Sequence, residues 1–339
     1  MENIMKSPRY AEALSRADEM LSKMTLTEKI GQLSQYGTSI YSDNEQTFDD
    51  HFAEGKVGSY LTIKGAARTN GIQRDLLRAT RLPIPAMFAD DVIHGYRTTM
   101  PTPLAQSCTW DPEVARRGAE VAAREAYRAG LKWTFSPMVD IARDPRWGRC
   151  MEGYGEDTYL CSRFSEATVK GYQGEGDEAL GKDRLMACMK HFVAYGACIG
   201  GRDYNSADMS LQTLHDVYLP SFKAGIDAGA VTVMSAFEDL NGVPATGSRY
   251  LLTEVLREQM GFEGLIITDS LDMNAITLYT GDRASAVQAV LSGNDLLCCT
   301  SYDKQYPAVL DAVRDGTIPE EMIDNAVRRI LALKAKTLK

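Results

Sequence analysis

Short apolar runs with the length of β-strands alternate with helical segments along most of this chain. The seven runs predicted as strands are VGSYLTI (57–63), IPAMFAD (84–90), KWTFSPMV (132–139), RLMACMKHF (184–192), AVTVMSAF (230–237), GLIITD (264–269) and NDLLCCT (294–300). Between them lie helical stretches such as 112–130 and 212–229, the second of which ends on Gly229, a residue suited to a helix C-terminus. Strands that alternate with crossover helices form parallel sheets, so the pattern predicts an α/β fold.

Seven strands come close to the eight of a closed barrel. We therefore predict a TIM-like (β/α)8 barrel whose first or last strand is irregular or missing. The competing architecture is a doubly wound open sheet, whose usual G-x-G-x-x-G turn after an early strand does not occur here. We expect residues 1–339 to form one barrel domain, with residues 8–33 as an N-terminal helical extension.

Composition narrows the classes of partner. The chain has 339 residues, of which 44% are hydrophobic, and this is enough for one large barrel with a packed core. Its net charge of −9, with acids and bases interspersed, argues against nucleic acid or an anionic membrane as a partner. No apolar run approaches the length of a membrane span, and the polar N-terminus MENIMKSPRYAEALSRADEM lacks the apolar core of a signal peptide.

The seven cysteines bear on location and on metal binding. Their number is odd, several lie in strand-like runs, and no C-x-x-C pair occurs. This pattern favours a reduced, cytoplasmic protein and gives no support to a zinc site or another metal site.

Candidate site residues, most of them polar, stand at the ends of five predicted strands. They are Asp90, Asp91 and His94 after the second, the loop 143–157 after the third, Lys190 and His191 in the fourth, Met234, Ser235 and Phe237 in the fifth, and Asp269 in the sixth. Strand ends converge on one mouth of a barrel, where such enzymes place their chemistry. A mixture of carboxylates, cations, an imidazole and aromatic rings suits a neutral polyhydroxylated ligand, because charged groups form strong hydrogen bonds with hydroxyls.

Each of these residues also has a structural interpretation. Asp269 could cap a following helix, and Lys190 with His191 could be an ion pair beside a satisfied core histidine. The arginine-rich loop needs internal ion pairs to hold its shape, so we expect at least one of Arg143, Arg146 and Arg149 to be structural. Trp147 is expected to pack rather than to stack on a sugar.

Four motifs resemble a known family. RDPRWGRCMEGYGED, KHFVAYGACIGGRDYN, MSAFEDLNGVPAT and GFEGLIITDS are similar, in this order, to successive signatures of glycoside hydrolase family 3, in particular of its bacterial β-glucosidases. The resemblance extends from about Leu26 to about Lys334. It implies a TIM-like first domain and a retaining β-glycosidase that needs no cofactor and acts on a β-glucoside or a short β-glucan oligosaccharide. Within the family, β-xylosides and β-N-acetylglucosaminides are alternative substrates.

The resemblance also implies roles for single residues. Asp269 matches the nucleophile, which we expect its cationic neighbours to keep ionised. The positions that match sugar-binding residues are Asp91, Arg97, Arg149, Lys190 and His191, and we add Met234 and Phe237 at the fifth strand end. Phe237 stands where many members carry Tyr, and Ser270 replaces a frequent Trp after the nucleophile.

The proton donor is harder to find. A retaining glycosidase needs a second group, at roughly 5–5.5 Å when it is a carboxylate, to protonate the leaving oxygen. The family's two-domain members take this glutamate from a second α/β domain, which we expect to be absent from this chain because ALKAKTLK stands about where the linker would begin. The single-domain branch uses an Asp-x-His pair, but the matching loop GACIGGRDYNSADMS contains Asp203 and Asp208 and no histidine.

Four explanations for the missing donor stay open. Another polypeptide, or a second copy of this one, supplies it over the barrel mouth, or a local residue does, with Glu238, Asp203 and Asp90 as candidates. Glu238 is of interest because it follows the fifth strand, although it could also be a solvated loop residue. The chain could instead be an excised or engineered barrel with little activity, or a non-catalytic sugar-binding protein.

Overall fold

All seven predicted strands form in the structure, and an eighth strand precedes them. This computed structural model describes residues 4–37, 55–176, 179–300 and 302–338. Each strand pairs in parallel with the next one in the main sheet. The eight strands are Gln35–Gly37, Ser59–Leu61, Met87–Asp90, Trp133–Thr134, Met186–Phe192, Thr232–Ser235, Leu265–Ser270 and Leu296–Cys298.

The sheet closes on itself. Its strands lie in chain order, and its two edges meet where Ser34 bridges Leu297 in parallel. The N–H of Thr300 also donates to the carbonyl of Gln35 at 2.9 Å. The fold is therefore the predicted TIM-like (β/α)8 barrel and not an open sheet. The strand that the sequence did not predict is the first one, which is only three residues long.

Successive side chains of a strand face opposite sides of the sheet. In the fifth strand Met186 and Cys188 belong to the buried cluster that contains Trp133, whereas Ala187 and Met189 belong to the other cluster. The indole of Trp133 donates to Oγ1 of Thr232 at 2.9 Å. Both faces of the strands are thus buried, which explains why these strands appear in the sequence as continuous apolar runs.

Helices surround the barrel and connect its strands. The α-helices are Pro8–Leu21, Leu26–Leu33, Ala66–Ala79, Pro103–Ser107, Pro112–Arg128, Thr158–Gln173, Leu211–Thr213, Leu219–Asp227, Asn274–Thr280, Asp282–Ser292, Gln305–Arg314 and Glu320–Thr337. The segments Leu214–Tyr218 and Tyr250–Gln259 are π-helical, and short 3₁₀ turns occur at Ile4–Lys6, Cys150–Glu152, Tyr195–Ala197, Ile199–Gly201 and Ala245–Gly247. A small antiparallel hairpin joins Asp239–Leu240 to Val243–Pro244. In the described part of the chain, no helix has the length and apolar character needed to cross a membrane.

The N-terminal extension is two helices rather than one. The helix Pro8–Leu21 ends before a short turn, and Thr25 then starts the helix Leu26–Leu33 through a capping box with Glu28. In the capping box, each side chain accepts a hydrogen bond from the other residue's backbone N–H. This local signal divides the predicted extension 8–33 at its middle.

The last helix fastens the two ends of the chain to the underside of the barrel. Arg328 in Glu320–Thr337 pairs with Asp18 of the first helix at 2.5 Å. The buried Lys334 donates to Oε1 of Gln32 at 2.6 Å and to the carbonyl of Gly58, just before the second strand, at 2.8 Å. The contact of Lys334 with Gly58 lies where the second strand begins, on the face opposite to the strand ends that carry the polar residues.

Candidate active site

A cavity of about 300 Å³ opens at the carboxyl ends of the barrel strands. Six of the predicted site residues line it, namely Asp91, Arg149, Lys190, His191, Met234 and Asp269. The other lining residues are Leu61, Ile93, Phe135, Glu152, Tyr204, Ser270, Met273 and Cys298. Its volume lies at the lower end of the range for small-molecule sites, and its wall combines apolar surface with a few convergent charges.

Asp269 lies at the tip of the seventh strand, on the cavity wall. Its Oδ1 accepts the N–H of Ser270 at 2.7 Å, and its Oδ2 lies 3.9 Å from Nε2 of His191. Burial raises the pKa of Asp269 above its ordinary value, while the Ser270 N–H and the cations Lys190 and Arg149 oppose that rise. Asp269 does not cap the following helix Asn274–Thr280, which has no side-chain capping bond.

Lys190 and Asp91 form an ion pair at the same wall. Nζ of Lys190 lies 2.5 Å from Oδ1 of Asp91. The lysine side chain is almost fully buried, whereas that of Asp91 is 45% exposed. The carboxylate is thus held in place on one side and remains open to a ligand on the other.

Arg149 is held by a bidentate ion pair. Its Nε and Nη2 donate to the two carboxylate oxygens of Glu152 at 2.7 and 2.8 Å, and its guanidinium lies over the ring of Tyr195. Burial alone would lower the pKa of Arg149, but the Glu152 carboxylate raises it above its ordinary value. In the same loop, the exposed Arg146 pairs only with Asp144 among the described contacts and is a structural arginine.

His191 is anchored by a residue that the sequence did not predict. One oxygen of Asp140, Oδ2, lies 2.9 Å from both the backbone nitrogen and Nδ1 of His191. Burial and the charges of Arg149 and Lys190 lower the pKa of His191 well below its ordinary value, so that the imidazole is neutral at pH 7. Burial raises the pKa of Asp140 to about 7.

Aromatic side chains support this arrangement from behind. Tyr195 meets His191 edge to face at 4.9 Å, Trp147 edge to face at 4.9 Å, and stacks on Tyr204 at 4.8 Å. Trp147 and Tyr195 both donate to Oδ1 of Asp203, at 2.9 and 2.5 Å. Trp147 is fully buried, so it packs in the core, as predicted.

None of the three local candidates for the proton donor lines the cavity. Asp203 is engaged by Trp147 and Tyr195, and the buried Asp90 pairs with Lys64 at 2.8 Å. Glu238, predicted as the acid/base, is 1% exposed because the chain folds back after the sixth strand, where the N–H of Ala245 donates to its carbonyl. It is therefore neither in contact with the cavity nor a solvated loop residue.

Two predicted sugar-binding residues also lie outside the cavity wall. Phe237 is 2% exposed and belongs to the apolar cluster that contains Met234. Arg97 is exposed on a loop that Glu125 holds through the backbone N–H groups of Arg97 and Thr98 at 2.8 and 2.9 Å. A strand-end position is thus not sufficient to place a side chain in the mouth.

Three residues that shape the site were not predicted from the sequence, namely Asp140, Glu152 and Tyr204. Asp140 directly follows the third predicted strand, and this position was the available signal. Glu152 and Tyr204 lie inside the motifs RDPRWGRCMEGYGED and KHFVAYGACIGGRDYN, but nothing in their spacing indicates that they line a cavity. Within the described ranges, no group of three or more His, Cys, Asp or Glu residues is arranged to hold a metal ion.

Comparison with known proteins agrees with this geometry. The model of the glycosyl hydrolase family 3 N terminal domain matches residues 25–333. A crystal structure of a β-glucosidase from Listeria innocua in complex with glucose superposes with a TM-score of 0.88 at 38% identity, over 96% of this chain and 47% of that one. A mutant of the same protein is known in complex with laminaribiose.

Curated relatives carry two kinds of name. The periplasmic β-glucosidase of Salmonella typhimurium is 38% identical over 93% of this chain and 41% of its own length. A β-xylosidase of Formosa agariphila is 31% identical over 90% of this chain and 45% of its own length. The chain thus spans less than half the length of these relatives.

Proposed function

Because the chain belongs to glycosyl hydrolase family 3, we propose that it is the nucleophile-bearing barrel of a retaining β-glucosidase. The observation that carries the proposal is the position of Asp269, on the cavity wall, with the cations Lys190 and Arg149 among its neighbours. Similarity to a β-glucosidase that binds glucose supports a β-glucosyl substrate. We further propose a β-glucoside or a short β-glucan oligosaccharide as that substrate.

The proposed reaction has two displacements. In the first, a carboxylate oxygen of Asp269 bonds to the anomeric carbon, the glycosidic C–O bond breaks, and the leaving oxygen takes a proton from an acid. In the second, the conjugate base of that acid removes a proton from water, whose oxygen replaces Asp269 on the anomeric carbon. Asp91, Lys190, His191 and Arg149 would hold the sugar hydroxyls, since all four line the cavity.

We propose that the acid comes from outside this barrel, from a second domain or another chain over the mouth. Two observations support this. The local candidates Glu238, Asp203 and Asp90 do not line the cavity, and the only lining carboxylates in the described ranges are Asp91, Glu152 and Asp269. Of these, Glu152 is committed to Arg149 and Asp91 to Lys190. The Salmonella relative, of which this chain covers 41%, is also more than twice as long as the chain.

Trapping of the covalent intermediate tests the proposal. A 2-deoxy-2-fluoro-β-glucoside with an activated leaving group forms the glycosyl-enzyme without strong acid assistance, and mass spectrometry should locate the added sugar on the peptide that contains Asp269. Asp269→Ala should take up no label, whereas Asp272→Ala, which changes a nearby exposed carboxylate, should still be labelled. Labelling of Asp269→Ala, or no labelling of the wild type, would refute the assignment.

Turnover of an activated aryl β-glucoside separates the remaining possibilities. A barrel without its acid/base should hydrolyse such a substrate slowly and be accelerated by azide, which attacks the intermediate without base assistance. A non-catalytic sugar-binding protein would bind glucose in calorimetry and release no aglycone.

The name of the Formosa relative makes β-xylosidase the second candidate function. The ratio of kcat/KM for an aryl β-glucoside to that for an aryl β-xyloside decides between β-glucosidase and β-xylosidase.

A further inference from the structure

Asp140 is buried behind the cavity wall, and among the described residues it accepts two hydrogen bonds, both from a single residue, His191. Resting on the proposed function, we infer that Asp140 is a positioning residue that fixes His191 as the Nδ1–H tautomer. The lone pair of Nε2 is then directed into the cavity as an acceptor. His191 would receive a hydrogen bond from a sugar hydroxyl rather than donate one.

Asp140 and His191 form a rigid pair. Oδ2 of Asp140 accepts from the backbone N–H and from Nδ1 of His191 at 2.9 Å each, so both the chain and the ring are fixed to one oxygen. The neighbouring backbone is equally held, since the N–H of Val139 donates to the carbonyl of Lys190 at 2.8 Å. Tyr195 packs edge to face on the imidazole and limits its rotation.

The contacts of the two ring nitrogens decide which of them carries the proton. Oδ2 of Asp140 is an acceptor, so Nδ1 of His191 must be the donor and carry the hydrogen. Nε2 of the neutral ring then carries the lone pair. Nε2 faces the guanidinium of Arg149, whose Nη1 lies at 3.5 Å. A guanidinium nitrogen donates hydrogen bonds and cannot accept them. Nε2 also lies 3.9 Å from Oδ2 of Asp269. An Nε2–H tautomer or an imidazolium would donate toward this carboxylate and compete with its attack on the sugar.

The other carboxyl oxygen of Asp140, Oδ1, makes no hydrogen bond to His191. Oδ1 is buried and has no hydrogen-bond partner in the described part of the structure. When Asp140 takes up a proton, Oδ1 is therefore the oxygen that can carry it, and Oδ2 continues to accept from His191. The arrangement does not require Asp140 to be charged, which fits a carboxyl whose pKa burial raises to about 7.

Nuclear magnetic resonance of the histidine nitrogens tests this inference without any need for turnover. The chain has only four histidines, and His191→Gln identifies the signals of His191 by their loss. In the wild type, labelled with ¹⁵N-histidine, we expect a protonated Nδ1 and an unprotonated Nε2 at pH 7. A failed activity assay would leave this result untouched, so the two proposals are separable.

Two substitutions sharpen the test. Asp140→Asn retains an acceptor oxygen and should preserve the tautomer, whereas Asp140→Ala removes it and should shift His191 toward the Nε2–H form. With an activated aryl glucoside, kcat/KM should fall about 100-fold in Asp140→Ala, because a misplaced side chain costs about that much, and should recover in large part in Asp140→Asn. Asp295→Asn, which changes a buried carboxylate paired with Arg257 and Arg329, is the matched control and should leave the His191 signals unchanged.

Three results would overturn the inference. They are an Nε2–H or doubly protonated His191 in the wild type, an unchanged His191 spectrum in a folded Asp140→Ala protein, and loss of the tautomer in Asp140→Asn. Should Asp140→Ala fail to fold, the wild-type and Asp140→Asn spectra still decide the matter.

Discussion

Nζ of Lys190 and Oδ1 of Asp91 lie 2.5 Å apart and connect the ends of the third and fifth barrel strands. These two strands do not pair with each other, because the strand Trp133–Thr134 lies between them. The ion pair therefore spans a gap in the hydrogen-bonded wall and fixes two groups that would contact the same sugar.

Removal of the lysine should damage binding and catalysis together. Lys190→Met removes the ammonium group that would donate to a sugar hydroxyl, and it leaves Asp91 free to move. We therefore expect kcat/KM for an aryl β-glucoside to fall by about 100-fold or more. Lys64→Met, which removes the partner of the neighbouring Asp90, is the control and should have a much smaller effect. Similar losses in both variants would count against a direct role for Lys190.

Glu238 should prove dispensable for hydrolysis. Both of its carboxylate oxygens are buried without a hydrogen-bond partner among the described residues, and burial raises its pKa well above the ordinary value. A group whose pKa is higher in the folded protein than in the unfolded chain stabilises the fold at low pH. This stabilisation is lost as the pH rises through the folded-state pKa. Glu238→Gln should therefore become progressively more stable than the wild type as pH increases, with kcat retained within about tenfold. A collapse of kcat with restored activity in azide would instead identify Glu238 as the acid/base.

Lys334 should give the opposite dependence of stability on pH. Burial lowers its pKa to about 7, below the value that it has in the unfolded chain. Between the two values the unfolded state binds more protons than the folded state, so this group stabilises the fold increasingly as pH rises above about 7. Lys334→Met should abolish that part of the rise in the free energy of unfolding, measured by urea denaturation between neutral and alkaline pH. Lys223→Met, at an exposed site, should follow the wild-type curve.

Asp203 should link stability to substrate affinity. Its Oδ1 accepts from Trp147 and Tyr195, and the ring of Tyr195 supports Arg149. Asp203→Ala leaves two donors without their partner, at a cost of about 1–3 kcal/mol for each buried group. We expect a lower free energy of unfolding and a higher KM, whereas Asp203→Asn, which keeps an acceptor oxygen, should lose less in both measurements. Equal effects of the two substitutions would contradict this explanation.

Much of the barrel could be predicted because its strands are buried on both faces and therefore form continuous apolar runs. The first strand was not predicted because QYG contains little apolar sequence. Its pairing with Ser59–Leu61 and with Thr300 also depends on residues far away in the chain. The division of the N-terminal extension follows from a local sequence signal, the capping box that Thr25 forms with Glu28.

The candidate site was predictable only in part, for a similar reason. Asp269 and Lys190 stand at strand ends, and the direction of a strand brings them to the mouth. The burial of Glu238 depends instead on the return of the chain through the hairpin 239–244. The exposure of Arg97 depends on the hydrogen bond from its backbone N–H to the carboxylate of Glu125. The role of Asp140 depends on its distance to His191, and no spacing rule joins residues 51 positions apart.

The position of the terminal helices under the barrel has a practical consequence. Pro8–Leu21 and Glu320–Thr337 pack against each other, and Lys334 is anchored at the start of the second strand, on the side away from the cavity. A tether attached at either helix would therefore leave the mouth facing solution. Protein immobilised in this way on a sensor surface should bind sugars, or a separately produced protein that covers the mouth, without obstruction from its own attachment.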